Sequence, residues 1–187
     1  RSEEVPVFGI CGGYQMLGTK LSDPFGVEEG GDVAGIGLLN VETIFAEKKR
    51  TIQVEGHFSH VQGIFKALSG CQFHGYEIHS GVTNFAINSS LSNMKPIYEE
   101  GDIVAEGSQN ITEEMNIYGS YVHGIFDGDG IAKSIVDALL AKKGMKPEDV
   151  HTISFAEYKQ QQYDILAEQV RKNLDMKKIY EILKAGV

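Results

Sequence analysis

The sequence predicts an α/β fold, and three observations carry that expectation. The chain opens as an apolar strand, a glycine-rich turn and a helix; its middle reads as short strands; its last third shifts to helical spacing. Residues 5–18 supply the first pattern: Val5-Pro6-Val7-Phe8-Gly9-Ile10 has strand character, Cys11-Gly12-Gly13 turns sharply, and Tyr14-Gln15-Met16-Leu17 runs on as helix toward Gly18. Residues 33–126 supply the second, with Val-, Ile-, Thr- and aromatic-rich runs separated by Gly, Asn and Ser. Leu38–Thr43, Thr51–Gly56 and Gly75–His79 are the clearest strands, several alternating enough to leave one face solvated. Residues 131–184 supply the third. Ile131, Ile135, Ala138 and Leu139 recur at three and four, as do Ile165, Leu166, Val170, Leu174, Ile179 and Leu183, with a break at Gly144 to Pro147.

Composition narrows the function classes. The 187 residues carry 17 Lys plus Arg against 26 Asp plus Glu, a net charge of −9, and neither half holds a basic excess. A surface that displaces phosphate counterions needs clustered cations, so nucleic acid is disfavoured as a partner. No apolar run approaches the ~18 residues of a membrane span, so no membrane is expected. Two cysteines, Cys11 and Cys71, make no disulfide framework, and a reducing cytoplasm is the expected compartment. The histidine spacings, His57 with His60 and His74 with His79, lack the paired ligands of a zinc site, so no metal is expected. No Walker-type phosphate loop occurs, and no cofactor is expected in this chain. Lys48-Lys49-Arg50 reads as a solvated hairpin tip able to meet an anionic partner domain, and Glu99-Glu100-Gly101-Asp102 as a solvated turn. An apolar strand at the very start of a chain that lacks an initiator Met reads as a piece cut from a longer protein.

Gly9-Ile10-Cys11-Gly12-Gly13 has the form G-x-nucleophile-x-G between strand and helix. A nucleophile presented at the top of a sheet sits in a strained turn, and flanking glycines remove side chains that would collide there. The free amides and dipole of the following helix favour a thiolate at Cys11. The Gly12 amide then faces the place where an oxyanion develops. A structural cysteine before a Gly-Gly turn gives the same pentapeptide.

Gly9-Ile10-Cys11-Gly12-Gly13-Tyr14-Gln15-Met16-Leu17-Gly18 resembles the elbow of class I glutamine amidotransferases, and its Gly-Gly-Tyr-Gln form is similar to the cobyric acid synthase branch of that family. Gly75-Tyr76-Glu77-Ile78-His79-Ser80-Gly81-Val82-Thr83 and Gly119-Ser120-Tyr121-Val122-His123-Gly124-Ile125-Phe126-Asp127 resemble two further blocks of the same branch, in the same order. Tyr163–Ala167 and Leu174-Asp175 fit it too, so the resemblance covers nearly the whole chain. It implies a mostly parallel central sheet flanked by helices, with opening strands of the fold absent here. It implies one partial amidotransferase domain over 1–187, with the elbow and sheet in 1–130 and a helical segment in 131–187.

The resemblance also implies the site. Cys11 is the nucleophile and His123 its acid–base partner, for an imidazole both takes the thiol proton and returns it to the leaving amine. Gly12 supplies an oxyanion donor. Gln15, one helical turn after Cys11, together with His79, Ser80 and Gly81 meets the substrate glutamine. Many class I members place a Glu two residues after the histidine to orient its ring; Ile125 stands there, leaving Asp127 and Glu77 as carboxylates that could serve, or a Cys–His dyad.

The activity so implied is hydrolysis of L-glutamine to feed ammonia to an ATP- and Mg²⁺-using synthetase domain. That domain would amidate side-chain carboxylates of a corrinoid, adenosylcobyrinic a,c-diamide, in cobalamin biosynthesis. The glutaminase of a cell-wall lipid precursor amidotransferase has a very similar elbow, but its segment after the histidine does not read H-G-I-F-D. The a,c-diamide synthase usually lacks the Tyr-Gln. A non-catalytic binding domain of the same shape is the remaining alternative. In the family a second oxyanion donor lies on a loop before the elbow strand. The sequence here lacks that loop, so the chain alone is expected to have an incomplete oxyanion hole and an open sheet edge that invites self-association.

Overall fold

The strand before the elbow, β1 (Val7–Ile10), pairs in parallel with β9 (Asn116–Ser120), Val7 opposite Ile117 and Ile10 opposite Ser120. This is seen in a computed structural model that describes residues 5–86, 89–112, 115–146 and 153–186. The chain divides into two compact units, Arg1–Val150 and His151–Val187.

In the first unit, β9 also pairs antiparallel with β8 (Ser108–Ile111), giving a three-stranded sheet in the order β1-β9-β8. A helix of six residues, α1 (Gly12–Leu17), follows β1. The second sheet holds β2 (Lys20–Asp23), β3 (Gly31–Ala34), β4 (Glu42–Phe58), β5 (Gln72–Asn84), β6 (Ser92–Pro96) and β7 (Val104–Glu106). Its order is β3-β2-β4-β6-β7, with β5 on the other edge of β4.

Both sheets are mixed. Among the described residues parallel pairing is confined to β1–β9 and β2–β4, and the other pairs are antiparallel. The α/β class stands, but the parallel fraction is smaller than expected. A parallel pair needs a crossover of a dozen residues or more, and the stretch from Glu42 to Glu106 instead doubles back on itself strand by strand.

Expected strands 51–56 and 75–79 lie inside β4 and β5, whereas Leu38-Leu39-Asn40 precedes β4 as a bend. Lys48-Lys49-Arg50 is not a hairpin tip: it lies within β4, exposed, at the register shift between Phe45 and Arg50. Alternation cannot separate a bulged edge from a turn when the residues are polar in both. The acidic 99–102 segment lies, as expected, in the exposed connection between β6 and β7.

The larger core cluster joins Phe58, Phe73 and Val54 of the second sheet to Tyr118, Val122 and Ile131. α2 (Ile131–Lys142) packs on it through Ile135, Ala138 and Leu139, beside the 3-10 turn at Gly63–Leu68. A smaller cluster, with Tyr14, Leu17, Leu39, Val41, Ile117 and Tyr121, seats α1 against β9. In the second unit α3 (Phe155–Asn173) begins with a capping box: Ser154 Oγ accepts from the Glu157 amide while the Glu157 carboxylate accepts from the Ser154 amide. α4 (Met176–Ala185) is capped by Asp175, which accepts from the Lys178 amide. The helical spacing thus gave three helices; Pro147 lies outside the described residues.

Candidate active site

Cys11 stands between β1 and α1 with φ 52° and ψ −113°, the one non-glycine residue with positive φ among those described. Such a conformation costs on the order of 1–3 kcal/mol and persists only where the surroundings impose it. Here the Cys11 amide donates to the Ser120 carbonyl at 2.9 Å, and the Cys11 carbonyl accepts from the Gln15 amide at 3.1 Å, closing the first helical turn. A Cβ on Gly9 would meet Leu17 Cδ1 at 2.6 Å and Gly13 backbone at 2.8 Å, so glycine is required there. At Gly12 and Gly13 a Cβ would meet nothing within 4 Å among the described residues, so collision does not explain those two. As first residue of α1, Gly12 has an amide with no acceptor inside the helix.

The thiol faces β5, with Cys11 Sγ 3.8 Å from the Ile78 carbonyl. Two residues earlier on that strand, Tyr76 exchanges both backbone hydrogen bonds with His123, at 3.1 and 2.9 Å. The Tyr76 and His123 rings lie parallel, 6° apart in plane, with centroids at 5.0 Å. A Cβ on Gly75 would strike the His123 carbonyl at 2.3 Å, so that glycine lets the His123 segment approach β5. β5 therefore borders both expected catalytic residues. His123 is partly buried.

Neither proposed carboxylate holds the His123 ring. Asp127 is exposed and its amide turns back to the Gly124 carbonyl at 2.9 Å. Glu77 is buried and ion-pairs with Arg50. Burial pushes its carboxyl up, but His79 and the Arg50 guanidinium outweigh burial and hold it below its ordinary value. Among the described residues no carboxylate hydrogen-bonds His123. Ile125, where other class I members carry Glu, is 1% exposed in the larger core, an environment that would charge an unpaired carboxylate a heavy desolvation cost.

Gln15, buried, donates from Nε2 to the Tyr121 hydroxyl at 3.3 Å. That hydroxyl lies 2.5 Å from Thr83 Oγ1, which lies 2.6 Å from Thr43 Oγ1. Burial raises the Tyr121 phenol above its ordinary value, keeping it a neutral donor. His79 stacks on the Tyr121 ring with centroids 3.7 Å apart. Its Nδ1 is 2.7 Å from the Gly81 carbonyl, which only accepts, so Nδ1 carries a proton. Its buried Nε2 faces Glu77 Oε1 at 3.5 Å, with no hydrogen bond among the described residues. Gly81 is buried against Gln15 Nε2, and Ser80, partly buried, connects it to His79.

Gln15, His79 and Gly81 are thus brought together around Tyr121, which lies in one of the family-like blocks with no signal there of this role. Thr83 lies in another such block. Thr43 and Arg50 carry no local signal, for they enter only through the long-range pairing of β4 with β5. Among the described residues no three His, Cys, Asp or Glu side chains group as metal ligands, and no helix is long and apolar enough to cross a membrane.

Residues 1–131 match the family described as CobB/CobQ-like glutamine amidotransferase domain. The chain belongs to this family. The domain is also similar to proteins named cobyric acid synthase: 43% identical over 192 residues to that of Lachnoclostridium phytofermentans, covering 100% of this chain and 37% of that protein. For Ruminiclostridium cellulolyticum the identity is 46% over 186 residues, covering 97% and 35%. For Citrobacter koseri it is 42% over 182 residues, covering 96% and 35%. The amidotransferase chain spans a little over a third of the length of these relatives.

Proposed function

We propose that this chain is the glutaminase part of a cobyric acid synthase, with Cys11 as its nucleophile. The observation that carries the reading is the placement of Cys11: strained at a strand–helix junction, its sulfur turned to the same strand that pairs with His123. The Cys11 thiolate attacks the side-chain amide carbon of glutamine, forming a C–S bond and an oxyanion that the Gly12 amide meets. His123 hands its proton to the leaving nitrogen, the C–N bond breaks, and ammonia departs. Water then adds to the glutamyl thioester, giving up a proton to His123, and glutamate leaves as the thiol re-forms.

Gln15, its amide held by Tyr121, and the His79-Ser80-Gly81 backbone form the wall against which glutamine lies. With no carboxylate on its ring among the described residues, His123 works with Cys11 as a dyad. The name shared by the relatives supports a corrinoid as the final acceptor of the ammonia. In that reading ATP and Mg²⁺ activate the corrinoid carboxylates in a synthetase domain outside these residues. Two free cysteines suit a reducing cytoplasm.

The test is Cys11→Ala in the full-length gene product. Amidation from glutamine should vanish while amidation from ammonium salts persists. Equal loss with both nitrogen donors would remove Cys11 from the role.

A further inference from the structure

A buried acid near the site is left unused by this chemistry. Glu106 ends β7, is 3% exposed, and has no cation among its partners in the described residues. Its Oε1 accepts from the Tyr121 amide at 2.7 Å; its Oε2 accepts from Ser92 Oγ at 2.8 Å and Ser120 Oγ at 2.9 Å. An unpaired carboxylate in a core is costly, and an apolar side chain of similar volume is often the more stable choice. The sequence nevertheless aims it there. Gly107, at φ 66°, carries the chain from the second sheet to the first, so close to β9 that a Cβ would stand 2.4 Å from the Gly119 carbonyl.

Two of the three donors, Ser120 and Tyr121, belong to the turn that supports both reacting groups. Ser120 accepts the Cys11 amide on its carbonyl, and its hydroxyl, bonded to Glu106, also accepts from the Val122 amide at 3.0 Å. Tyr121, whose amide Glu106 holds, carries the hydroxyl that fixes Gln15, and His123 follows two residues later. We infer that Glu106 is a positioning residue: it clamps the Ser120–His123 turn from behind, fixing His123, Tyr121 and the Cys11 backbone in one geometry. The inference rests on the glutaminase reading above and adds to it a residue that never touches glutamine. Burial pushes its carboxyl up to about 7, with Glu77 on β5 adding to the rise; its charge in turn raises the Tyr14 phenol on α1, and Tyr121 after β9 offers its backbone amide.

The test compares Glu106→Met, Glu106→Gln and Ser92→Ala in the full-length gene product, with steady-state glutaminase kinetics and near-ultraviolet circular dichroism. Glu106→Met fills the space but accepts nothing, and it should lower kcat roughly tenfold or more with KM within about threefold, since misplacement from a remote change costs rate in this range. Glu106→Gln still offers an oxygen to the Tyr121 amide and should restore kcat to within about threefold of the parent. Ser92→Ala removes a bond from the side away from the turn and should leave kcat unchanged even where stability falls.

If Glu106 were only glue between the sheets, kcat would follow stability across all three, and that pattern overturns the proposal. So does a Glu106→Met protein with the parent's kcat. Should Glu106→Met not fold, Ser120→Ala decides, a fall in kcat at constant KM supporting the clamp and an unchanged kcat refuting it. Cys11→Ser is run alongside. If the parent does not hydrolyse glutamine, the glutaminase reading fails. If Cys11→Ser keeps the parent's rate, the Cys11 nucleophile fails, and the positioning role falls with either. If Cys11→Ser is dead while Glu106→Met is fully active, only the positioning role fails.

Discussion

Replacing Gly81 by Ala tests whether the Gln15 amide is placed for substrate or merely packed. An alanine Cβ would stand 2.3 Å from Gln15 Nε2, 2.7 Å from Thr43 Cγ2 and 3.0 Å from the Tyr121 hydroxyl. Ordinary contact starts near 3.4 Å, so the amide must retreat by about 1 Å. Gln15 is buried and bonded to Tyr121, so it cannot swing into water without losing that bond. Overpacking of this kind costs about 1–3 kcal/mol of stability. A hydrogen bond lost to glutamine costs about 1 kcal/mol, which raises KM by roughly fivefold or more.

The assay is glutaminase KM on the full-length gene product, with unfolding by urea on the same samples. The double variant Gln15→Ala with Gly81→Ala closes a cycle: the clash with the Gln15 amide is gone and only that with Thr43 and Tyr121 remains. With no amide left to displace, KM should match that of Gln15→Ala alone. A parental KM in folded Gly81→Ala would refute the reasoning, as would full additivity in the double variant.

Cys11→Gly should abolish glutamine hydrolysis yet raise stability by about 1 kcal/mol, because glycine relieves the positive φ; a stability loss would mean that the elbow is not strained. Asp127→Asn should keep turnover within about threefold of the parent, since Asp127 is not bonded to His123; a loss of orders of magnitude in folded protein would restore a triad. Gly119→Ala would drive a Cβ to 2.1 Å from the fully buried Tyr14 ring and should unfold the first unit at lower urea by 1–3 kcal/mol or more. Glu106 sits near 7 in the fold against an ordinary 4.5. Between those values the native protein holds a proton that the unfolded chain has released, so stability declines as pH rises from about 4.5 to 7, by on the order of 3 kcal/mol at most, and levels off above. Glu106→Gln should flatten that limb in urea titrations from pH 4.5 to 8; an unchanged slope would assign it to another group.

What could be read from the sequence was local. Gly9 through Gly18 announced strand, turn and helix because each step depends on neighbours, and Ile131 to Leu139 announced α2 by spacing alone. The Cys11–His123 pairing came from resemblance. The pocket wall did not come from spacing, since Thr43, Thr83 and Tyr121 meet only once β4 lies on β5 in its shifted register. Glu106 was silent for the same reason. A Glu before Gly in a polar stretch reads as surface, and only the crossing from one sheet to the other turns it inward. Lys48-Lys49-Arg50 misled because an exposed bulge and a hairpin tip demand the same residues.

The parallel pairing of β1 with β9 has a consequence in time. Val7 and Ile117 are 110 positions apart. At ribosomal rates of about 5–20 residues per second, β1 waits on the order of 5–20 s after its synthesis before the strand that pairs with it exists. Through that interval Val7, Phe8 and Ile10 lack their β9 neighbours and the Cys11 amide lacks the Ser120 carbonyl. Ile78, which faces the thiol, is made earlier, some 67 residues after Cys11. The site therefore cannot be complete until β9 and His123 have been made, more than a hundred residues after Cys11. Oxidants or chaperones that act on this protein during synthesis meet the elbow before its β9 support exists.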